Sequence, residues 1–267
     1  MLDGSTFFDV ETRTWHIIAQ CRGGGGDRRW NLCHYTHNGD SPMSTFLPDK
    51  RNPVVAGGEL WSRICHGSGK ACDPEHTKDE GTPDIVFKRG GYFYVTFHGF
   101  NYAARTSYRG VAKTSDFNNW ILSAPDLPID AMLGPENRAA WEPNCVGAGM
   151  STTLVVGGYQ YMAFEAPTKT LICTNGQNWE IGLVRAPAST FPSWRSGGWQ
   201  QFPGNPLLIP TWPGPDSRCE IQYPRWIMDS SGVYLLYEDW GPQMHYVKRR
   251  LMKLVLGAWR PVRPWEN

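Results

Sequence analysis

The chain has no apolar run long enough to cross a bilayer. It has no stretch that keeps a helical 3.6-residue period, which removes helical bundles from the starting readings. An excess of either charge is also missing. The 26 Lys and Arg against 25 Asp and Glu leave a net charge of +1. That balance argues against a dedicated nucleic-acid binder, and Lys248-Arg249-Arg250 reads as a solvated strand face. No nucleic-acid or membrane partner is therefore expected. The opening MLDGSTFFDV lacks the basic end and apolar core of a signal peptide. No G-x-S-x-G elbow is present, so a serine hydrolase of that type is not expected. The glycine run Gly23 to Gly26 continues as Asp27-Arg28-Arg29, which makes it a turn between strands and not a phosphate loop. Cys65, His66, Cys72 and His76 are zinc-binding residue types, but they lack the C-x2-C pair, and no metal site is assigned to them. No Gly-, Pro- or Ser-rich linker divides the chain, so residues 1–267 are read as one domain.

What is abundant points to β-structure. Gly 29, Pro 21 and 13% aromatics favour many turns and many strands. The seven cysteines are many for a cytosolic protein, and an odd count leaves one unpaired in a monomer. Cys21 and Cys33 sit near opposite ends of one hairpin, and Cys65 and Cys72 flank a Gly-Ser-Gly loop. Both pairs are candidate disulfides. The expected compartment is extracellular or periplasmic.

A pattern of strand, tight turn and aromatic strand recurs along the chain, with an acid at its head. One copy runs Thr82-Pro83-Asp84-Ile85-Val86-Phe87, a Lys-Arg-Gly-Gly turn, then Tyr92 to Phe97. Another runs from Glu220 through Ile221-Gln222-Tyr223-Pro224-Arg225-Trp226 to a turn at Asp229 to Gly232, then Val233 to Tyr237. Near the start, Asp3-Gly4-Ser5-Thr6-Phe7-Phe8 leads into Trp15 to Ala19. The fourth is Met150 to Val156, Gly157-Gly158, then Tyr159 to Phe164, with Glu142-Pro143-Asn144 upstream. Third strands are expected at Trp30 to Thr36, Arg109 to Thr114, Glu180 to Arg185 and His245 to Leu256. The spacing of about 70 residues is blade-like. Short antiparallel units arranged around an axis make a β-propeller. A β-sandwich is the competing architecture. His37 to Gly81 is long and irregular. A fifth blade is expected from that stretch, around Asn52 to Ala56 and Glu59 to Ile64, or from the two termini together.

At these motifs the chain resembles the five-bladed β-propeller glycoside hydrolases of family 43 and its relatives, including the β-fructosidase group. TPDIVFKRGGYFYVTFHG resembles the family's inner-strand motif, and RGVAKTSDFNNW its outer-strand signature of a small apolar strand, Ser-x-Asp and Asn-Trp. Glu220 resembles the acid of the acidic-Pro motif, although Pro follows it by four positions and not two. Asp3 resembles the first-blade acid, although no Pro follows it. The resemblance implies an all-β, five-bladed propeller that cleaves glycosidic bonds. Its catalytic residues would be Asp3 as base, Glu220 as acid, and Asp84 as the group that tunes the acid and orients the sugar. Glu142 is a reserve member of the same cluster. An inverting mechanism is expected, acting on arabinose- or xylose-containing glycans.

Other residues are candidates for holding the carbohydrate. Trp61, Trp141 and Trp212 lie in irregular stretches and offer flat faces for sugar rings. His98 and Arg225 are candidates for contacting hydroxyls. No cofactor is required, though a carboxylate-lined funnel has room for a structural calcium. A monomer is expected. The rival functions are a non-catalytic propeller lectin, and a glycosyl-transferring or phosphorolytic enzyme of the same fold.

Overall fold

The structure is a computed structural model that describes residues 2–22, 30–55, 80–101, 106–122, 131–133, 150–167, 179–190, 199–208, 220–240, 247–255 and 260–262. These residues are almost entirely strand, with one short 3-10 turn at Ala188–Thr190. They form two compact units, one holding the described residues up to 133 and the other those from 150 onward. No helix among them is long and apolar enough to cross a membrane.

The first unit has two sheets. One is a meander of β1 (Leu2–Asp9), β2 (Thr14–Arg22), β3 (Trp30–Asn38) and the short β4 (Leu47–Pro48). The other runs β5 (Glu80–Arg89), β6 (Tyr92–Asn101), β7 (Thr106–Thr114) and β8 (Trp120–Leu122), with β9 (Ala131–Leu133) also paired to β7. The second unit is one sheet with two halves. β10 (Ser151–Val156), β11 (Tyr159–Pro167) and β12 (Trp179–Pro187) form one meander, edged by β13 (Gln200–Gln201). β14 (Glu220–Asp229), β15 (Gly232–Trp240), β16 (Val247–Val255) and β17 (Arg260–Val262) form the other. Among the described residues, the ladder between the halves is the parallel pair of Trp179 with Glu220.

All four expected copies are therefore hairpin-led meanders, and all four third strands form where the aromatic and apolar runs predict them. The turns follow from composition. Gly90-Gly91 has φ of 58° and 79°, and Gly157-Gly158 has 58° and 78°. A two-residue hairpin turn of this kind needs positive φ at both central positions, which glycine adopts without steric cost. Asp229 closes the fourth hairpin differently, its Oδ1 accepting from the Ser231 and Gly232 amides at 2.7 and 3.1 Å.

Alternation places the cores. Phe93, Val95 and Phe97 project from one face of β6 and join Ile18, Leu32, Ile85 and Phe117 in the first unit. In the second unit, Tyr161, Ile181, Leu183, Leu235 and Met252 cluster in the same way. Each such side chain contributes about 1.5–3 kcal/mol on full burial.

The first core also contains polar groups. His34 stacks on Phe117 at 3.9 Å between ring centroids, and His16 packs beside both. His34 Nδ1 lies 3.2 Å from Asp49 Oδ2, and His34 Nε2 lies 3.0 Å from His16 Nδ1. Asp49 is held well below the usual carboxylate range by Arg51, so it only accepts. Both bonds are then satisfied when each imidazole is neutral and carries its proton on Nδ1. Burial, reinforced by His34, pushes the His16 pKa down to about 4, and burial also lowers that of His34.

The outer edges hold a second repeat, one that carries no acid. Asn52 donates to the His34 carbonyl at 2.8 Å and accepts from its amide at 2.7 Å. Asn205 clasps Leu183 in the same two-bond way, both at 2.9 Å. Val55 then bridges Leu32, and Leu208 bridges Ile181. Asn-Pro-Val-Val and Asn-Pro-Leu-Leu are therefore the same edge device. The segment at Asn52 completes the first sheet and does not found a fifth one. Among the described residues there are four meanders. Glu59 to Ile64, the other segment considered for a fifth blade, lies outside the described residues.

Cys21 and Cys33 form a disulfide across β2 and β3, with a Cα–Cα distance of 5.8 Å. Cys65, His66, Cys72 and His76 lie outside the described residues. So do Trp61, Trp141, Glu142 and Trp212, and with them four of the candidate binding residues.

Candidate active site

Three of the four inner strands begin with an irregularity, the exception being β10, and these irregularities position the candidate residues. In β1 the ladder slips between Leu2 and Gly4, leaving Asp3 as the extra residue. Gly4 is required there, because a Cβ would lie 2.6 Å from the Ile18 carbonyl oxygen and 2.7 Å from Ala19 Cβ. In β5 the ladder slips between Gly81 and Asp84, and in β14 between Gln222 and Arg225. The skipped residues are Thr82-Pro83 and Tyr223-Pro224. Proline lacks the amide that a ladder needs, so a bulge is where it fits within a strand. The residue before each proline is left-handed, with φ of 43° at Thr82 and 58° at Tyr223. Such backbone in a non-glycine residue is costly, and it concentrates at functional sites.

The bulges correct the alignment of the repeat. Pro83 matches Pro224, so Asp84, opposite Thr96, corresponds to Arg225, opposite Leu236. Glu220 stands four residues before its proline, at the first position of β14, and is not the counterpart of Asp84.

In the first unit the heads of β1 and β5 are tied together. Ser5 Oγ accepts from the Ile85 amide at 2.7 Å, and Gln20 Oε1 accepts from the Thr82 amide at 3.1 Å. Asp3 and Asp84 therefore stand near the heads of two strands that are joined two residues after Asp3 and one residue after Asp84. Asp84 is 6% exposed, while Asp3 is half-buried within β1. The backbone of His98 pairs with Gly81 and Arg109, and its side chain is outside the described residues.

In the second unit four carboxylates are buried at one end of the sheet. Glu165 near the end of β11 is 6% exposed, Glu180 at the start of β12 1%, Glu220 at the start of β14 6%, and Asp239 at the end of β15 0%. The register places them in succession. Glu165 is opposite Ile181, Trp179 lies beside Glu220, and Asp239 is opposite Ile221. Gln222 donates to Glu220 Oε2 at 2.9 Å, and Arg250 pairs with Asp239 at 2.8 Å. Glu165 is gripped by backbone, one oxygen accepting from the Met150 amide at 3.1 Å and the other from the Tyr223 amide. Arg225 donates to the Pro224 carbonyl at 2.9 Å.

Glu165 and Gln20 occupy one repeat position. Thr14 and Tyr159 are the first residues paired after their turns, and six residues on stand Gln20 and Glu165. Each reaches the amide of the left-handed residue in the next inner strand. The first unit uses a neutral amide for this and the second a carboxylate.

Chemically, these strand heads supply buried acids of the type needed to give and take protons. Among the described residues, no three His, Cys, Asp or Glu side chains gather where they could hold a metal ion. Glu220, Asp84 and Asp3 are residues that the sequence singled out. Glu165, Glu180 and Asp239 were missed, since they read as ordinary residues of alternating strands. The signal that could have found them is an acid in an otherwise apolar β-run, as in Met162-Ala163-Phe164-Glu165-Ala166.

No protein-family model matches the chain, and no curated protein matches it in sequence. Solved structures do match in fold. A glycoside hydrolase superposes with a TM-score of 0.60 at 12% identity, covering 99% of this chain and 72% of that one. A thermostable family-43 glycoside hydrolase gives 0.57 at 14% identity over 95% and 72%. Zg3597, a family 117 glycoside hydrolase from the marine bacterium Zobellia galactanivorans, gives 0.55 at 14% over 95% and 66%. The sandwich alternative is set aside: the chain has the all-β fold of the β-propeller glycoside hydrolases.

Proposed function

We propose that the protein is a glycoside hydrolase that acts on a poly- or oligosaccharide. The observation that carries this reading is Glu220, a carboxyl buried at a strand head among three other buried acids, in a fold used by glycoside hydrolases. Cleaving a glycosidic bond needs one carboxylic acid to protonate the leaving oxygen and one carboxylate to activate water or attack the sugar. Glu220 is assigned as the acid. Gln222 donates to its Oε2 and so fixes the orientation of the carboxyl. Asp3 is assigned as the base. Asp84 is assigned to orienting the sugar. In an inverting enzyme the acid and base stand roughly 6.5–9.5 Å apart, with the water between them. Inversion is part of the proposal, as are an arabinose- or xylose-containing substrate, a single catalytic domain, action outside the cytoplasm and a monomeric state.

The test is a panel of labelled pentose and hexose oligosaccharides, with NMR detection of the anomer first released. Release of a reducing sugar is expected, and it should fall about 10²–10⁴-fold in Glu220→Gln with the melting temperature unchanged. Turnover near wild type in that variant removes Glu220 from the acid role. Binding without any product moves the reading to a lectin.

A further inference from the structure

We propose that Tyr223 and Trp240 form an aromatic glycan-binding subsite beside Glu220, which the Glu165 carboxylate holds in shape. The proposal rests on the hydrolase reading for its ligand class, and on the second unit alone for its geometry.

Three observations converge. First, Tyr223 is the bulge residue of β14, skipped by the ladder and left-handed at φ 58°. A bulge re-aims a side chain, and the backbone cost of this one is maintained by a charge-assisted bond from its own amide to Glu165. Secondly, the tyrosine ring lies 6.3 Å from that of Trp240 at an interplanar angle of 46°, and both rings are half-buried. A pair that is neither packed away nor solvated is suited to a sugar face, whose C–H groups lie against aromatic carbon. Thirdly, Trp240 is the direct ladder partner of Glu220, so the two side chains leave the sheet on the same face. The indole Nε1 of Trp240 is buried and has no hydrogen-bond partner among the described residues. With the N–H turned inward, it is the aromatic faces of the pair that are left to meet a sugar.

The first unit sharpens the point. Its bulge presents Thr82 at the equivalent place, held by Gln20 in place of Glu165. The device that turns the backbone is shared, while the aromatic ring and the carboxylate that grips it belong to the second unit. Had the bulge only a packing task, a small residue would serve in both.

The test uses Tyr223→Gly. Glycine adopts left-handed φ more readily than tyrosine, so this change removes the ring while suiting the backbone. Calorimetric titration with linear arabino- and xylo-oligosaccharides, in the Glu220→Gln background so that ligand survives, is expected to show binding weakened about tenfold or more, the scale of one aromatic contact. The melting temperature should change little. Trp240→Phe keeps a ring of smaller area, and should weaken binding less than Tyr223→Gly does. Tyr223→Phe should bind as the parent does. Parent-like affinity in Tyr223→Gly overturns the subsite and leaves the hydrolase reading standing. Binding that is lost in Tyr223→Gly, with no product formed by the unmutated chain, supports the subsite and overturns hydrolysis. An unmutated chain that neither binds nor cleaves any of these sugars overturns both.

Discussion

The two units solve one mechanical problem with different chemistry. Each must hold a left-handed residue before a proline at the head of an inner strand. The first does so with Gln20 bonding to Thr82, the second with Glu165 bonding to Tyr223. A neutral amide is enough to satisfy a buried amide donor. A carboxylate buried at 6% exposure and bonded to two amides brings a charge that the mechanical task does not require. The difference teaches where to look for function: the frame is common to both units, and the departure from it lies next to Glu220.

Four measurements would break or sharpen that contrast. The largest effect is expected for Glu220→Gln, where turnover should fall about 10²–10⁴-fold, the usual worth of a general acid, with the fold intact by circular dichroism. Next is acid sensitivity, expected in the first unit. Well above pH 6.5 the two imidazoles are neutral whether the chain is folded or not. As pH falls from 6.5 towards the folded His16 value of about 4, the unfolded chain takes up a proton that the buried ring refuses. Stability is therefore lost across that window, by about 3 kcal/mol from His16. Amide exchange, corrected for intrinsic rates, should rise at pH 5 in β1 to β3 and β5 to β7 more than in β10 to β16. Equal rises would remove the imidazoles as the cause. Then come the latches. Gln20→Leu removes the acceptor that the buried Thr82 amide bonds to and should cost about 1–3 kcal/mol in urea unfolding. Glu165→Gln keeps one acceptor and should cost less stability, yet lower turnover. Parallel losses of stability and no loss of turnover would make the two latches alike. The smallest effect is expected at the edges, where Asn52→Ala and Asn205→Ala should each lower stability by about 1 kcal/mol, and by similar amounts, because the clasps match.

Much of this frame was legible in the residues. The Gly-Gly turns, the aromatic second strands and the Cys21–Cys33 hairpin each follow from local chemistry that acts over a few residues. The heads of the inner strands were harder to read, because matching acid to acid joined Asp84 with Glu220. The proline, which forces the bulge, was the better anchor and would have matched Asp84 with Arg225. Asn-Pro-Val-Val and Asn-Pro-Leu-Leu were visible as strings, but what makes them equivalent is a side-chain amide bonding to a distant strand. For Glu165, Glu180 and Asp239 the sequence offers only an acid set among apolar strand residues, which does not by itself report burial. Alternation says which face a residue takes, and only the packing of neighbouring strands decides whether that face is dry.

The paired glycines at Gly90-Gly91 and Gly157-Gly158 share nearly the same φ values, and a Cβ added at any of the four would meet nothing within 4 Å. They are two copies of one open joint. A reporter tag, or new chain ends made by permutation, could be spliced in at either without disturbing a neighbour, and swapping one loop for the other should go unnoticed by the strands on each side.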